Sequence, residues 1–238
     1  MHTYNYTKVR ENIWQIGEED GVCCTLIRGR KLAVLVDTGY GNWDLRSFVE
    51  ETVSTPYIVI NSHGHPDHIG GNHWFDSVFL SPEDRKTMEY FQESAKSDCS
   101  VKDILPGEIF DLGGLHLDVV SLAGHTRGSI GLLVREARLL VAGDALNDQL
   151  WLFNFGSLSM GELRDTLERT LPLPFDTYLA GHSDREYPKS FLHTHIRNID
   201  TLNLEACTKQ DTLGFETYLS SYTDETGTSL LVFTADKL

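Results

Sequence analysis

Residues 61–75 read NSHGHPDHIGGNHWF. Four histidines (His63, His65, His68 and His73) and one acid, Asp67, fall in this stretch, separated by glycines and a proline. Neutral imidazole and carboxylate are ligands for zinc, iron or manganese. A tight loop through His63, His65, Asp67 and His68 gathers such donors closely. Gly64 lets the backbone turn between the first two, and Gly70 and Gly71 permit close approach where the next turn begins. Solvated loops are polar too, but general polarity does not explain so dense a run of donors.

The preceding segment, PYIVINS at 56–62, has the apolar run of a short buried strand, so the histidines occupy a strand-end loop. One loop cannot surround two ions, and further donors are expected at other strand ends. LAGHTRGS (122–129) places His125 behind an apolar run, LLVAGDAL (139–146) places Asp144, and TYLAGHSD (177–184) places His182, each directly after a glycine. A single Gly-His or Gly-Asp is a common turn; three in succession behind apolar runs point to a shared site.

The rest of the chain supplies a scaffold. NIWQIG, VCCTLIRG and KLAVLVDTG, between residues 12 and 39, predict an antiparallel meander, with EEDG (18–21) as one of its turns. Helices are predicted over 42–53, 160–171 and 188–203, and over 82–96 with Ser81 as N-cap and Pro82 in the first position. Further strands are expected at 77–81, at 108–124 as a hairpin turning at Gly113 and Gly114, at 129–136 and 138–144, and at 215–221 and 228–235 as a closing hairpin. Residues 149–156, rich in aromatics, read as a loop. Two groups of strands, each followed by helices, predict two packed sheets with helices outside, in a single domain over 1–238.

Composition excludes several classes. The 238 residues are 40% hydrophobic, enough for a full core, and carry 35 acidic against 20 basic side chains, a formal charge of −15 that disfavours nucleic acid as a partner. Cys23, Cys24, Cys99 and Cys207 show no C-x-x-C spacing, which suits reduced thiols and a cytoplasmic location. No apolar run reaches the roughly 20 residues of a membrane span, and MHTYNYTKVRENIW lacks a signal-peptide core. There is no G-x-S-x-G, P-loop or dinucleotide fingerprint.

The pattern H-x-H-x-D-H followed by G-H, G-D and G-H resembles the metallo-β-lactamase-fold hydrolase superfamily over nearly the whole chain. The resemblance implies an α/β architecture, a four-layer αβ/βα sandwich of two mixed β-sheets flanked by helices, with the metal site at one edge. It implies that His63, His65 and His125 bind a first metal, that Asp67, His68 and His182 bind a second, and that Asp144 bridges them. Asp37 in VLVDTGY matches an aspartate that supports the site from behind its ligands. HTRGS and GDAL agree with the hydroxyacylglutathione hydrolase-like branch, although the helical C-terminal region of those enzymes is replaced here by one helix and a hairpin. Asp144 departs from true β-lactamases and His65 from flavodiiron relatives.

The implied cofactors are two divalent metal ions, with zinc favoured and iron or manganese accepted. The implied chemistry is attack by a metal-bound hydroxide on a small ester, thioester or lactone, with Asp67 as the catalytic residue that orients the water and takes its proton. Trp151, Phe153 and Phe155, close behind Asp144, are candidates for the substrate pocket or for packing beneath the loop. Two alternatives are a mononuclear iron enzyme resembling persulfide dioxygenases and a non-catalytic, metal-stabilised binding protein. His193 and His195 repeat the H-x-H spacing, but on a helix they point about 200° apart and cannot share an ion. They are expected to be surface or packing residues, as are His73 and His116. Arg28, Arg30 and Lys31 read as a solvated cluster in a hairpin turn.

Overall fold

The computed structural model describes residues 5–17, 21–91 and 98–238. The first sheet holds seven strands in sequential order: β1 (Asn5–Arg10), β2 (Ile13–Gly17), β3 (Cys23–Arg28), β4 (Ala33–Val36), β5 (Tyr57–Ile60), β6 (Ser77–Leu80) and β7 (Ser100–Asp103). β1 to β4 form an antiparallel meander, and β4 to β7 run parallel. The second sheet is built from β8 (Ile109–Asp111), β9 (His116–Ser121), β10 (Ile130–Val134), β11 (Leu139–Val141), β13 (Thr177–Leu179) and β14 (Glu186–Pro188), in the order β14-β13-β11-β10-β9-β8. Only β11 and β13 are parallel in it.

Period-two patterning explains how the layers stack. Along β4, Val34 and Val36 join Ile13, Ile27 and Ile60 in a core shared with Leu117, Val119, Leu132 and Val141 of the second sheet. Ala33 and Leu35 face the other way, onto Leu45 and Val49 of helix α1 (Leu45–Thr52). All four residues of β4 are thus buried, as expected for a strand covered on both faces. The outer face of the second sheet is covered by α4 (Met160–Thr170) and α5 (Phe191–Asp200), through Leu163, Leu167, Phe191 and Leu192. Each fully buried aliphatic side chain contributes roughly 1.5–3 kcal/mol. Asp44 caps α1 through Ser47 N, and Ser159 and Glu162 form a reciprocal capping box on α4.

A third sheet, beyond the two expected, has the order β12-β17-β16-β15, from β12 (Gln149–Leu152), β15 (Thr208–Thr212), β16 (Phe215–Asp224) and β17 (Gly227–Phe233). The start of the aromatic segment read as a loop is therefore strand β12, paired in parallel with β17. The helix expected over 82–96 is also revised. Ser81 makes no side-chain cap, Pro82–Asp84 form a 3-10 turn, and α3 follows at Arg85–Phe91. Its remainder at 92–96 lies outside the described residues, as do positions 18–20 of the EEDG turn. The hairpin at Gly113 and Gly114 is present, and both glycines have positive φ. Among the described residues no disulfide joins the cysteines, and no helix is long and apolar enough to cross a membrane.

Candidate metal centre

The histidine loop leaves β5, turns through the short helix α2 (Pro66–Ile69) and is tied to both sheets. Thr38 N donates to the His68 carbonyl (2.9 Å), and Ile130 N donates to the Ser62 carbonyl (2.9 Å). His125 lies between β9 and β10, Asp144 follows β11 and His182 follows β13, so neighbouring strand ends deliver every donor to one rim. The glycines before the last two allow this approach. Gly143 takes φ 53, and a Cβ on Gly181 would lie 2.1 Å from Asp144 Oδ1.

The seven donors form two groups. His63, His65 and His125 are one, and Asp67, His68, Asp144 and His182 are the other; within each, one ligand atom per residue lies within 4.8 Å of the rest. Asp144 connects them: its Oδ1 is 3.2 Å from His68 Nε2, and its Oδ2 is 3.1 Å from His182 Nε2 and 3.7 Å from His125 Nε2. Asp67 Oδ2 lies 3.2 Å from His182 Nε2.

Hydrogen bonding at the back of each ring fixes which nitrogen faces the centre. His125 Nδ1–H donates to the Trp151 carbonyl (2.9 Å), leaving the Nε2 lone pair pointing inward. It meets His65 Nδ1 at 2.8 Å, while His65 Nε2 faces the Phe155 carbonyl at 3.4 Å. Asp37 takes φ 64, a region that aspartate tolerates better than most residues. Its Oδ1 accepts from Ser62 N (2.6 Å), and its Oδ2 accepts from Ser62 Oγ (2.7 Å) and His68 Nδ1 (2.8 Å). Ser62 Oγ in turn lies 3.1 Å from His63 Nδ1. Among the described residues, His63 Nε2, His68 Nε2 and Asp144 Oδ1 are buried without a hydrogen-bond partner of suitable geometry, even though the last two lie 3.2 Å apart. Lone pairs aimed at other lone pairs repel unless a cation sits among them, so the donor set fits divalent metal.

The electrostatics divide in the same way. Burial depresses all three imidazoles of the first group, His65 to about 3, so that they stay neutral and ready to ligate. In the second group burial is outweighed by charge. Asp144, Asp67 and Asp37 hold the His68 pKa well above its ordinary value, and Asp144 and Asp67 raise His182 to about 9. Burial opposes ionisation of Asp67 and Asp144, yet the imidazoles of His68 and His182 keep both carboxyls below the usual range. This half of the site demands positive charge.

Asp84 was not singled out in the sequence. It is fully buried, and burial raises its carboxyl pKa. Its Oδ2 accepts from Gly64 N (2.6 Å) and Thr126 Oγ1 (2.9 Å), and its Oδ1 from Thr87 Oγ1 (3.1 Å) and Gly128 N (3.2 Å). One side chain thereby pins the loop of His63 and His65 to the loop of His125. The signal available was an acid in the first turn after Ser81-Pro82, which reads equally well as ordinary helix polarity.

A cleft of about 540 Å³ opens over both groups, lined by Tyr40, Phe91, Asn147, Trp151, Asn154 and Leu213 among others. Of the three candidate pocket aromatics, Trp151 lines the cleft. Phe153 is buried beside it, with ring centroids 5.1 Å apart, and Phe155 stacks on Tyr90. The other described histidines stand outside. His73 is exposed, His116 pairs with Glu136, His193 is exposed, and His195 is buried against Ser229.

The profile of the metallo-beta-lactamase superfamily matches residues 17–182, which include all seven donors and Asp37. The chain belongs to that superfamily. Within it, the chain is 24% identical over 177 residues to the acyl-coenzyme A thioesterase MBLAC2 of Homo sapiens, covering 59% of this chain and 63% of that protein. It is 30% identical over 139 residues to the hydroxyacylglutathione hydrolase GloC of Haemophilus influenzae, covering 52% and 66%. The chain thus spans less than two-thirds of the length of these relatives. A metallo-beta-lactamase from Pontibacter korlensis superposes with a TM-score of 0.67 at 17% identity, covering 84% of this chain and 100% of that one, and so shares the fold.

Proposed function

We propose that this superfamily member is a hydrolase with two divalent metal ions, acting on a small ester, thioester or lactone. His63, His65 and His125 would hold one ion, Asp67, His68 and His182 the other, and Asp144 both. The carrying observation is the convergence of inward lone pairs from four strand ends, with Asp144 within reach of both groups. The donors are all nitrogen and oxygen, which zinc accepts and which iron or manganese also tolerates. When bound, such ions supply a hydroxide nucleophile near neutral pH and an electrophile for the developing oxyanion.

The chain's own residues set the geometry around that chemistry. Asp67, about one-fifth exposed at the cleft, would orient the attacking water and accept its proton. Asp37 fixes the His68 tautomer from behind and Trp151 fixes that of His125. Trp151 also supplies an apolar wall. The names of the two relatives, both thioester hydrolases, support the bond class.

We further read residues 1–238 as one domain, because Leu231 and Phe233 of the third sheet share a core with Tyr178 and Leu163. The cysteines suit a reducing cytoplasm, and the charge of −15 suits a small-molecule rather than a nucleic-acid partner. Turnover of p-nitrophenyl esters, simple lactones and S-lactoylglutathione by zinc-loaded protein tests the reading. Hydrolysis of at least one, abolished by chelator and restored by metal, is expected. Inertness with both ions bound would overturn it.

A further inference from the structure

The mouth of the cleft contains a residue that neither folding nor turn chemistry calls for. β15 and β16 are joined by Leu213-Gly214, with Thr212 paired to Phe215 and φ of 54 and 85 at the two turn residues. Such a two-residue turn favours Asn-Gly or Asp-Gly, because a side chain in the left-handed region costs about 1–2 kcal/mol. Leu213 is also 71% exposed, so its side chain gains little from burial. Yet this leucine lines the same cleft as His65, Asp67, His125, Asp144 and His182. The turn is anchored there by Phe215, whose ring meets Phe153 at 5.6 Å.

Aromatic side chains also gather near His65 in the same cleft. Tyr90 and Phe155 stack with centroids 4.3 Å apart and planes 7° apart, although both remain about half exposed. Phe91 packs edge-on against His65. Among the described residues lining the cleft, none is Lys or Arg, and Asp148 adds a further acid.

We propose that Leu213 is a specificity-determining residue, presented by the β15–β16 turn to pack against an uncharged aliphatic or aromatic acyl group of the substrate. The assignment of that group to a scissile ester or thioester rests on the hydrolase reading; the apolar contact does not. A strained, exposed leucine beside the donors is explained if substrate buries it.

The test compares kcat/KM of the zinc-loaded parent and of Leu213→Gly for p-nitrophenyl acetate, butyrate and octanoate. The parent is expected to prefer octanoate, and Leu213→Gly to lower the octanoate-to-acetate ratio about ten-fold. Its melting temperature should be no lower, since glycine suits φ 54. Leu213→Asn should behave alike, whereas Ile109→Ala, on the exposed β8, should keep the parent's ratio. Equal ratios in the parent and Leu213→Gly would overturn the proposal. If the parent cleaves none of these esters, titration calorimetry with 2-decanone decides the contact separately, and turnover of lactones and S-lactoylglutathione decides the hydrolase reading. Binding weakened about ten-fold by Leu213→Gly supports it; equal affinity or no binding by the parent overturns it.

Discussion

His63-Gly-His65 and His193-Thr-His195 share one spacing on two kinds of backbone. In the loop the two rings are buried with centroids 4.7 Å apart, and both belong to one donor group. In α5 the residues diverge: His193 is exposed, while His195 packs edge-on against Phe191 and pairs with Ser229 Oγ at 2.8 Å. A helical advance of about 100° per residue sends positions two apart to opposite faces, whereas an irregular loop lets them converge. Charge separates the histidines again. Burial alone drives His195 down to about 3, but Asp144 and Asp67 lift His182 to about 9. Spacing becomes a metal signal only where the backbone permits convergence and carboxylates wait opposite.

Substitutions in the two pairs should give the largest contrast. His63→Ala is expected to bring turnover down to the level seen with chelator and to lose tightly held metal, while His193→Ala retains both. Metal analysis beside ester turnover checks this, and equal losses in the two variants would erase the distinction.

Asp67→Ala should cost about 10²–10⁴-fold in kcat, the usual contribution of a positioned acid or base, while one ion stays bound among His63, His65 and His125. Parent-like turnover would remove Asp67 from its proposed role. A smaller effect is expected from Asp37→Asn, which weakens the acceptor holding His68 Nδ1. Zinc affinity measured against a competing chelator should fall about 10–100-fold. No change would show that the ring is oriented without the Asp37 carboxylate.

The helical pair offers a pH test. The folded state keeps His195 neutral down to about pH 3, whereas the unfolded chain protonates it near 6.5. Between those values the unfolded state binds more protons, so stability declines as pH falls, by up to about 1.4 kcal/mol per pH unit from this residue. Urea midpoints of His195→Gln should therefore drop less steeply from pH 6.5 to 4 than those of the parent. Parallel slopes would mean that His195 is protonated within the fold.

The donors were legible because four crowd into the loop behind β5, and His125, Asp144 and His182 each follow an apolar strand and a glycine, a pattern that the requirement for convergence writes into the sequence. The edges of the sheets were less so. β1 (NYTKVR) and β15 (TKQDT) are polar and largely exposed, so they lack the apolar alternation that marks a strand. β12 begins a run, LWLFNF, in which apolar residues are too continuous to show a period. Asp84 and Leu213 were hidden for a deeper reason. The first acts through backbone amides of two distant loops, and the second through a hairpin from another sheet, so neither has a local signature.

Diffraction from zinc-loaded crystals at the zinc absorption edge tests the central claim most directly. Two anomalous peaks are predicted, one among His63, His65 and His125 and one among Asp67, His68, Asp144 and His182. An empty rim, or a zinc ion bound only elsewhere on the chain, would contradict it.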